Sequence, residues 1–156
     1  MTTKTGWQCI EVTDLRTIGE EPGQCDRCER QDLRFLHTMY YPDTNKTMQV
    51  GCECAARLAF GYDPKREERR LRTLYNRRNR WLLKNWGTSW SGNETITFKD
   101  KRRQVRVTVF HDKDRAGRLR YVVDIDGQRY FSPENYCCPD DAKLGAFDSA
   151  AQLLDW

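Results

Sequence analysis

Two close pairs of cysteines, Cys25-Asp-Arg-Cys28 and Cys52-Glu-Cys54, are the residues of this chain whose type and spacing point most directly to chemistry. A two-residue gap lets one turn offer both sulfurs to a tetrahedral ion while its backbone N–H groups face them. The second pair follows Gly51 at a helix start, where the positive end of the helix dipole favours thiolates. Four thiolates from two such corners make a closed structural Zn2+ site, so Cys25, Cys28, Cys52 and Cys54 are the expected ligands. The competing reading is free buried thiols or a redox pair, but a thioredoxin-like motif needs a βαβ setting around the first pair, which is missing. His37 could stand in for a cysteine, although a lone histidine in a strand is more often a surface or core residue. Cys9 is expected to pack in a strand. Cys137 and Cys138 are adjacent, cannot easily chelate one tetrahedral ion together, and are expected to be structural.

The chain has 156 residues and seven cysteines, an odd number. No charged start followed by an apolar core opens it, and no apolar run approaches the roughly 18 residues of a membrane span. These features favour metal ligation over a disulfide framework and predict a soluble, cytoplasmic protein without membrane contact. Catalytic constellations are sparse. Only His37 and His111 are available as histidine bases, and His111-Asp112 reads as a polar strand exit. Asp124 and Asp126 read as the start of an Asp-Gly turn rather than as metal ligands. No Gly-rich phosphate loop or nucleophile elbow is visible, so the chain is expected to be a non-enzyme.

The elements that must position these residues follow from pattern. The expected fold class is α+β: a small zinc module, a basic connector helix, and an antiparallel sheet with one C-terminal helix. In residue numbers these are 1–62, 63–90 and 91–156. Residues 33–41 and 46–51 read as two strands around the turn quartet Pro42-Asp43-Thr44-Asn45, and 54–60 as a short helix ended by Gly61. Asp63-Pro64 is a helix-start signal, an N-cap carboxylate followed by a proline that loses no hydrogen bond there. It predicts a helix over about 64–86. On a helical wheel Leu71, Leu74, Tyr75, Trp81, Leu82 and Trp86 share one arc of roughly 140°. Arg78 falls among them and must extend its head outward along its stem. Residues 95–99, 103–110, 119–125 and 128–131 alternate as strands, with Val105, Val107 and Val109 on one face. A helix over about 140–154 closes the chain.

Charge is concentrated. The formal net charge is +4, yet residues 65–120 hold 18 Lys or Arg against six Asp or Glu. Such a field suits phosphate backbones. The expected nucleic-acid contacts are Arg66, Arg69, Arg72, Arg77, Arg80 and Lys84 on the connector helix, with Arg103, Arg106 and Arg120 on the strands. Gln104 shares a strand face with Arg106. Trp81, Trp86 and Trp90, with Tyr75 nearby, are candidate stacking faces for bases.

Knuckle, hairpin, then a helix bearing the last ligands resembles the treble-clef zinc fingers over residues 20–62. The stretch Val50-Gly51-Cys52-Glu53-Cys54-Ala55, with the C-x2-C pair, is also similar to small, mostly uncharacterised bacterial and phage proteins. The one-residue gap in the second pair departs from the usual two. Some treble clefs are HNH-type nucleases, but this chain lacks the further histidines that such a site requires. The second half resembles, in topology alone, the three-strand-and-helix DNA-binding domains of integrase and plant ethylene-response type. A resemblance to phage proteins leaves a different partner open, a host nucleic-acid machine bound and inhibited by this chain.

Overall fold

The computed structural model of the chain describes residues 6–156. It is an α+β protein in which antiparallel sheets and three helices are distributed over two compact units, residues 1–75 and 76–156. No helix among the described residues is long and apolar enough to cross a membrane.

In the first unit, β1 (Gln8–Asp14), β2 (Phe35–Tyr41) and β3 (Lys46–Val50) form a sheet in that order, both pairs antiparallel. Asn45, at φ +52°, lies in the turn that joins β2 to β3. The sequence reads strands at 33–41 and 46–51, which match β2 and β3, but of β1 it places only Cys9 in a strand. The register slips between Cys9 and Glu11, a bulge that breaks the alternation by which a strand is recognised. Two helices follow, α1 (Cys52–Leu58) and α2 (Pro64–Trp81). The core of this unit is built from Cys25, Met39, Val50, Cys54, Ala55 and Ala59, with Trp7, Leu33 and Tyr62 packed against it. A buried ion pair pins β1: the Arg34 Nε and Nη2 donate to the two Asp14 oxygens at 2.9 and 2.8 Å.

Burial alone would raise the Asp14 pKa, but the Arg34 hydrogen bonds and charge, with help from Thr17 and the Arg16 backbone, hold it below the ordinary 3.8. A carboxyl depressed by folding contributes stability above its unfolded pKa, and the contribution is lost as the pH falls through the folded value. Asp14→Asn is therefore expected to destabilise the first unit by about 1.5 to 3 kcal/mol at pH 7. In urea titrations the gap between wild type and variant should shrink as the pH falls below about 4, where Asp14 of the unfolded chain binds its proton before that of the folded one.

Helix α2 starts as the sequence predicts, with the Asp63 carboxylate accepting from the Arg66 backbone N–H at 3.1 Å and Pro64 buried at the first position. It contributes residues to both units. It ends at Trp81, not at Trp86. The Trp86 indole N–H donates to the Trp81 carbonyl at 3.1 Å, taking an acceptor that one more helical turn would have used. Leu83 is left 82% exposed.

The second unit is a five-stranded antiparallel sheet in the order β4 (Gly87–Thr88), β5 (Glu94–Asp100), β6 (Arg103–His111), β7 (Leu119–Ile125), β8 (Gln128–Phe131). Helix α3 (Pro139–Leu153) packs on β6 and β7. Val105, Val107, Val109, Tyr121 and Val123 are buried together with Ala142, Ala146, Phe147 and Ala150 of α3, as the alternation requires. Asp126 and Gly127 both have positive φ, the conformation of a tight hairpin turn, and Asp124 accepts from the Gly127 N–H at 2.8 Å.

Candidate metal centre

The first thiol pair sits on a turn closed by its own backbone. The Glu29 N–H donates to the Cys25 carbonyl and the Cys25 N–H to the Arg30 carbonyl, both at 2.9 Å. Asp26 ties this turn to β3: its N–H donates to the Gln49 carbonyl, and its carboxylate accepts from the Gln49 N–H at 2.7 Å. Strand β3 then delivers Gly51, the N-cap of α1, beside the turn. The site is close-packed there, since a Cβ on Gly51 would come within 3.2 Å of Leu33 Cδ1.

The result is a cluster of three sulfurs. Cys25, Cys28 and Cys54 offer Sγ atoms that all lie within 4.8 Å of one another, and these three residues could hold a metal ion. Cys25 is 1% and Cys54 5% exposed, whereas Cys28 is open to solvent. The chemistry of the donors fits a cation. Burial would raise the Cys25 pKa, but N–H groups of Cys28, Gly51 and Arg27 donate to its sulfur and bring it down to about 7. Burial, together with the Cys25 and Cys28 thiols beside it, pushes Cys54 up to about 11. Three thiols crowded in this way favour a bound cation, which relieves the repulsion between thiolates.

Cys52, the fourth expected ligand, is outside this group of three but lines the same cavity. It is the first residue of α1 and Cys54 the third, and two residues on an α-helix turn side chains about 200° apart. The one-residue gap brings both sulfurs to one ion most readily on an extended knuckle, whereas α1 starts at Cys52 itself. Burial first, then the Glu68 and Glu53 carboxylates, raise the Cys52 pKa. A cavity of about 270 Å³ is lined by the three clustered cysteines together with Cys52, Glu68 and Arg72, and it gives an ion a route in.

His37 is fully buried and not in the cluster. Its Nδ1 is 2.8 Å from the Tyr62 hydroxyl and its Nε2 2.9 Å from Glu68 Oε1, so both ring nitrogens are engaged. It anchors α2 to β2. The sequence carried no signal for these two partners, which are 25 and 31 residues away. Cys9 is in β1 as expected, and Cys138 occupies the N-cap position of α3 without a side-chain capping bond. Cys137 is exposed and accepts from Arg118.

The expected nucleic-acid contacts fall into two groups. Arg72 lies over the Phe35 ring at 4.9 Å, Arg77 over Trp156 at 3.7 Å, and Lys84 over Trp81 at 5.5 Å, so their heads cover aromatic surface. Arg103 reaches Asp100 at 3.3 Å and is on the valine-bearing side of β6, away from Arg106. Arg66, Arg69, Arg80 and Arg106 are exposed, and Arg120 is on the same sheet face as Arg106. Arg78, the cation in the apolar arc, extends to Asp148 at 2.8 Å. Among the candidate stacking rings, Trp81 is buried, Tyr75 lies under Arg34, and Trp90 is fully exposed. Comparison of the chain with protein-family models, with curated proteins and with solved structures gives no match.

Proposed function

We infer that this chain is a non-catalytic, zinc-stapled nucleic-acid-binding protein. For the ion, the observation that supports the reading is the convergence of Cys25, Cys28 and Cys54 from a turn and a helix N-terminus. Three soft thiolates select zinc over hard oxygen-loving cations. They leave one place of a tetrahedral ion to water or another donor. For the partner, the observation is unneutralised charge. Of the 18 cationic residues between 65 and 120, Arg70, Arg78 and Arg103 are the ones with an acidic side chain in ion-pair contact among the described residues. A field left uncompensated on the protein is compensated by phosphates, with release of their counterions.

Salt dependence tests the partner directly. Wild-type protein should bind naked nucleic acid with an affinity that falls steeply as salt rises, and Arg66→Glu with Arg69→Glu should weaken it for all sequences alike. Each lost phosphate contact should reduce the slope of log K against log salt by roughly 0.7 to 0.9. Both positions are near the start of α2, where acidic side chains favour the helix dipole, so the pair should not unfold it. Absence of any affinity at low salt, beside a stable complex with a protein captured from cells, would give the lead to the alternative reading as an inhibitor of a nucleic-acid machine.

A further inference from the structure

The sheet of the second unit has a second face, opposite α3, and its composition is unusual for a solvent surface. Pairing across β6, β7 and β8 sets Phe110 opposite Arg120 and Val122 opposite Phe131. The two phenylalanine rings meet edge to face, with centroids 6.3 Å apart, and Phe131 stays 54% exposed. Arg120 is held beside them: its Nη2 donates to the Ser132 carbonyl at 2.8 Å, and its guanidinium is 6.0 Å from the Phe131 centroid. Further along the same face come Arg106 and, from β5, Lys99, both exposed. The acid among them, Asp124, is already committed to the Gly127 N–H and to Arg129 at 3.5 Å. The face therefore offers aromatic surface at one end and uncompensated cations at the other.

We propose that this face binds single-stranded nucleic acid, with an unpaired base stacked on Phe131 and phosphates on Arg106, Lys99 and Arg120. The proposal rests on the nucleic-acid reading above and specifies its strandedness. In a duplex both faces of each base are covered by its neighbours, so a ring standing on a flat sheet has nothing to stack on. A single strand splays its bases, and aromatic side chains beside cations hold them without regard to sequence.

The test uses the full zinc-loaded chain and fluorescence anisotropy against a labelled oligothymidylate of about 15 nucleotides and a duplex of the same length. Phe131→Leu keeps apolar area on an exposed position and removes the π face. It should weaken the single strand about tenfold and leave the duplex unchanged. Arg106→Gln should weaken the single strand with a salt slope lower by roughly 0.7. Wild type that prefers the duplex, or Phe131→Leu that binds the single strand as tightly as wild type, overturns the proposal while the nucleic-acid reading stands. Wild type that binds neither oligonucleotide overturns both.

Discussion

Cys54→Ser is expected to strip the ion from the protein and unfold residues 20–62, whereas Cys52→Ser should keep both ion and fold. The difference is expected because Cys54 is buried in the group with Cys25 and Cys28, whereas Cys52 starts α1 outside that group. Structural zinc contributes on the order of 10 kcal/mol to small modules, more than the whole stability of a typical domain of this size. Losing one of three thiolates removes most of that. Elemental analysis of freshly reduced protein, with far-UV circular dichroism before and after a chelator, separates the variants. Cys28→Ser should behave as Cys54→Ser; Cys137→Ser and Cys138→Ser should behave as Cys52→Ser. Because Cys54 releases a proton when it ligates, having been pushed up to about 11, zinc affinity should fall as the pH falls. Equal zinc loss in the Cys52 and Cys54 variants would sink the three-thiolate assignment and restore the four-cysteine set.

The second large effect is expected at Trp81. Its side chain is 1% exposed and its indole N–H donates to the Lys143 carbonyl at 2.8 Å. Trp86, Phe98 and Phe147 meet its ring edge to face at centroid distances of 5.5, 5.7 and 5.5 Å. Trp81→Ala opens a cavity where α2, β5 and α3 meet and removes a buried hydrogen bond. The cost should be about 3 to 5 kcal/mol, which corresponds to a fall of more than about 10 °C in the melting midpoint of residues 76–156. Leu83→Ala, at an exposed position just past the helix end, should stay within about 0.5 kcal/mol of wild type. A small effect at Trp81, read by denaturant titration with near-UV circular dichroism, would contradict the packing described for this core.

Much of the second unit was legible because its strands alternate without interruption. Val105, Val107 and Val109 on one side and Arg106 on the other leave one register that buries the valines. Asp126-Gly127 marks the turn since few other pairs accept two positive φ values in succession. Asp63-Pro64 likewise marks where α2 begins, through chemistry local to three residues. Its end was illegible. The apolar stripe continues to Trp86, but the Trp81 carbonyl is taken by the Lys84 N–H and the Trp86 indole and the helix stops there.

For the metal centre, the sequence by itself determined that thiols in two close pairs would dominate the chemistry, since spacing and residue type are local properties. That the Cys25, Cys28 and Cys54 sulfurs converge was decided by tertiary structure, which brings a turn and the start of α1 together across 23 residues or more of chain. Likewise, the positions of Arg72 and Arg77 on the helical wheel suggested solvated cations. Both stay exposed, and rings from Phe35 and Trp156, 37 and 79 residues away in the chain, lie beneath their heads, because a long basic side chain follows whatever aromatic surface folding brings beneath it.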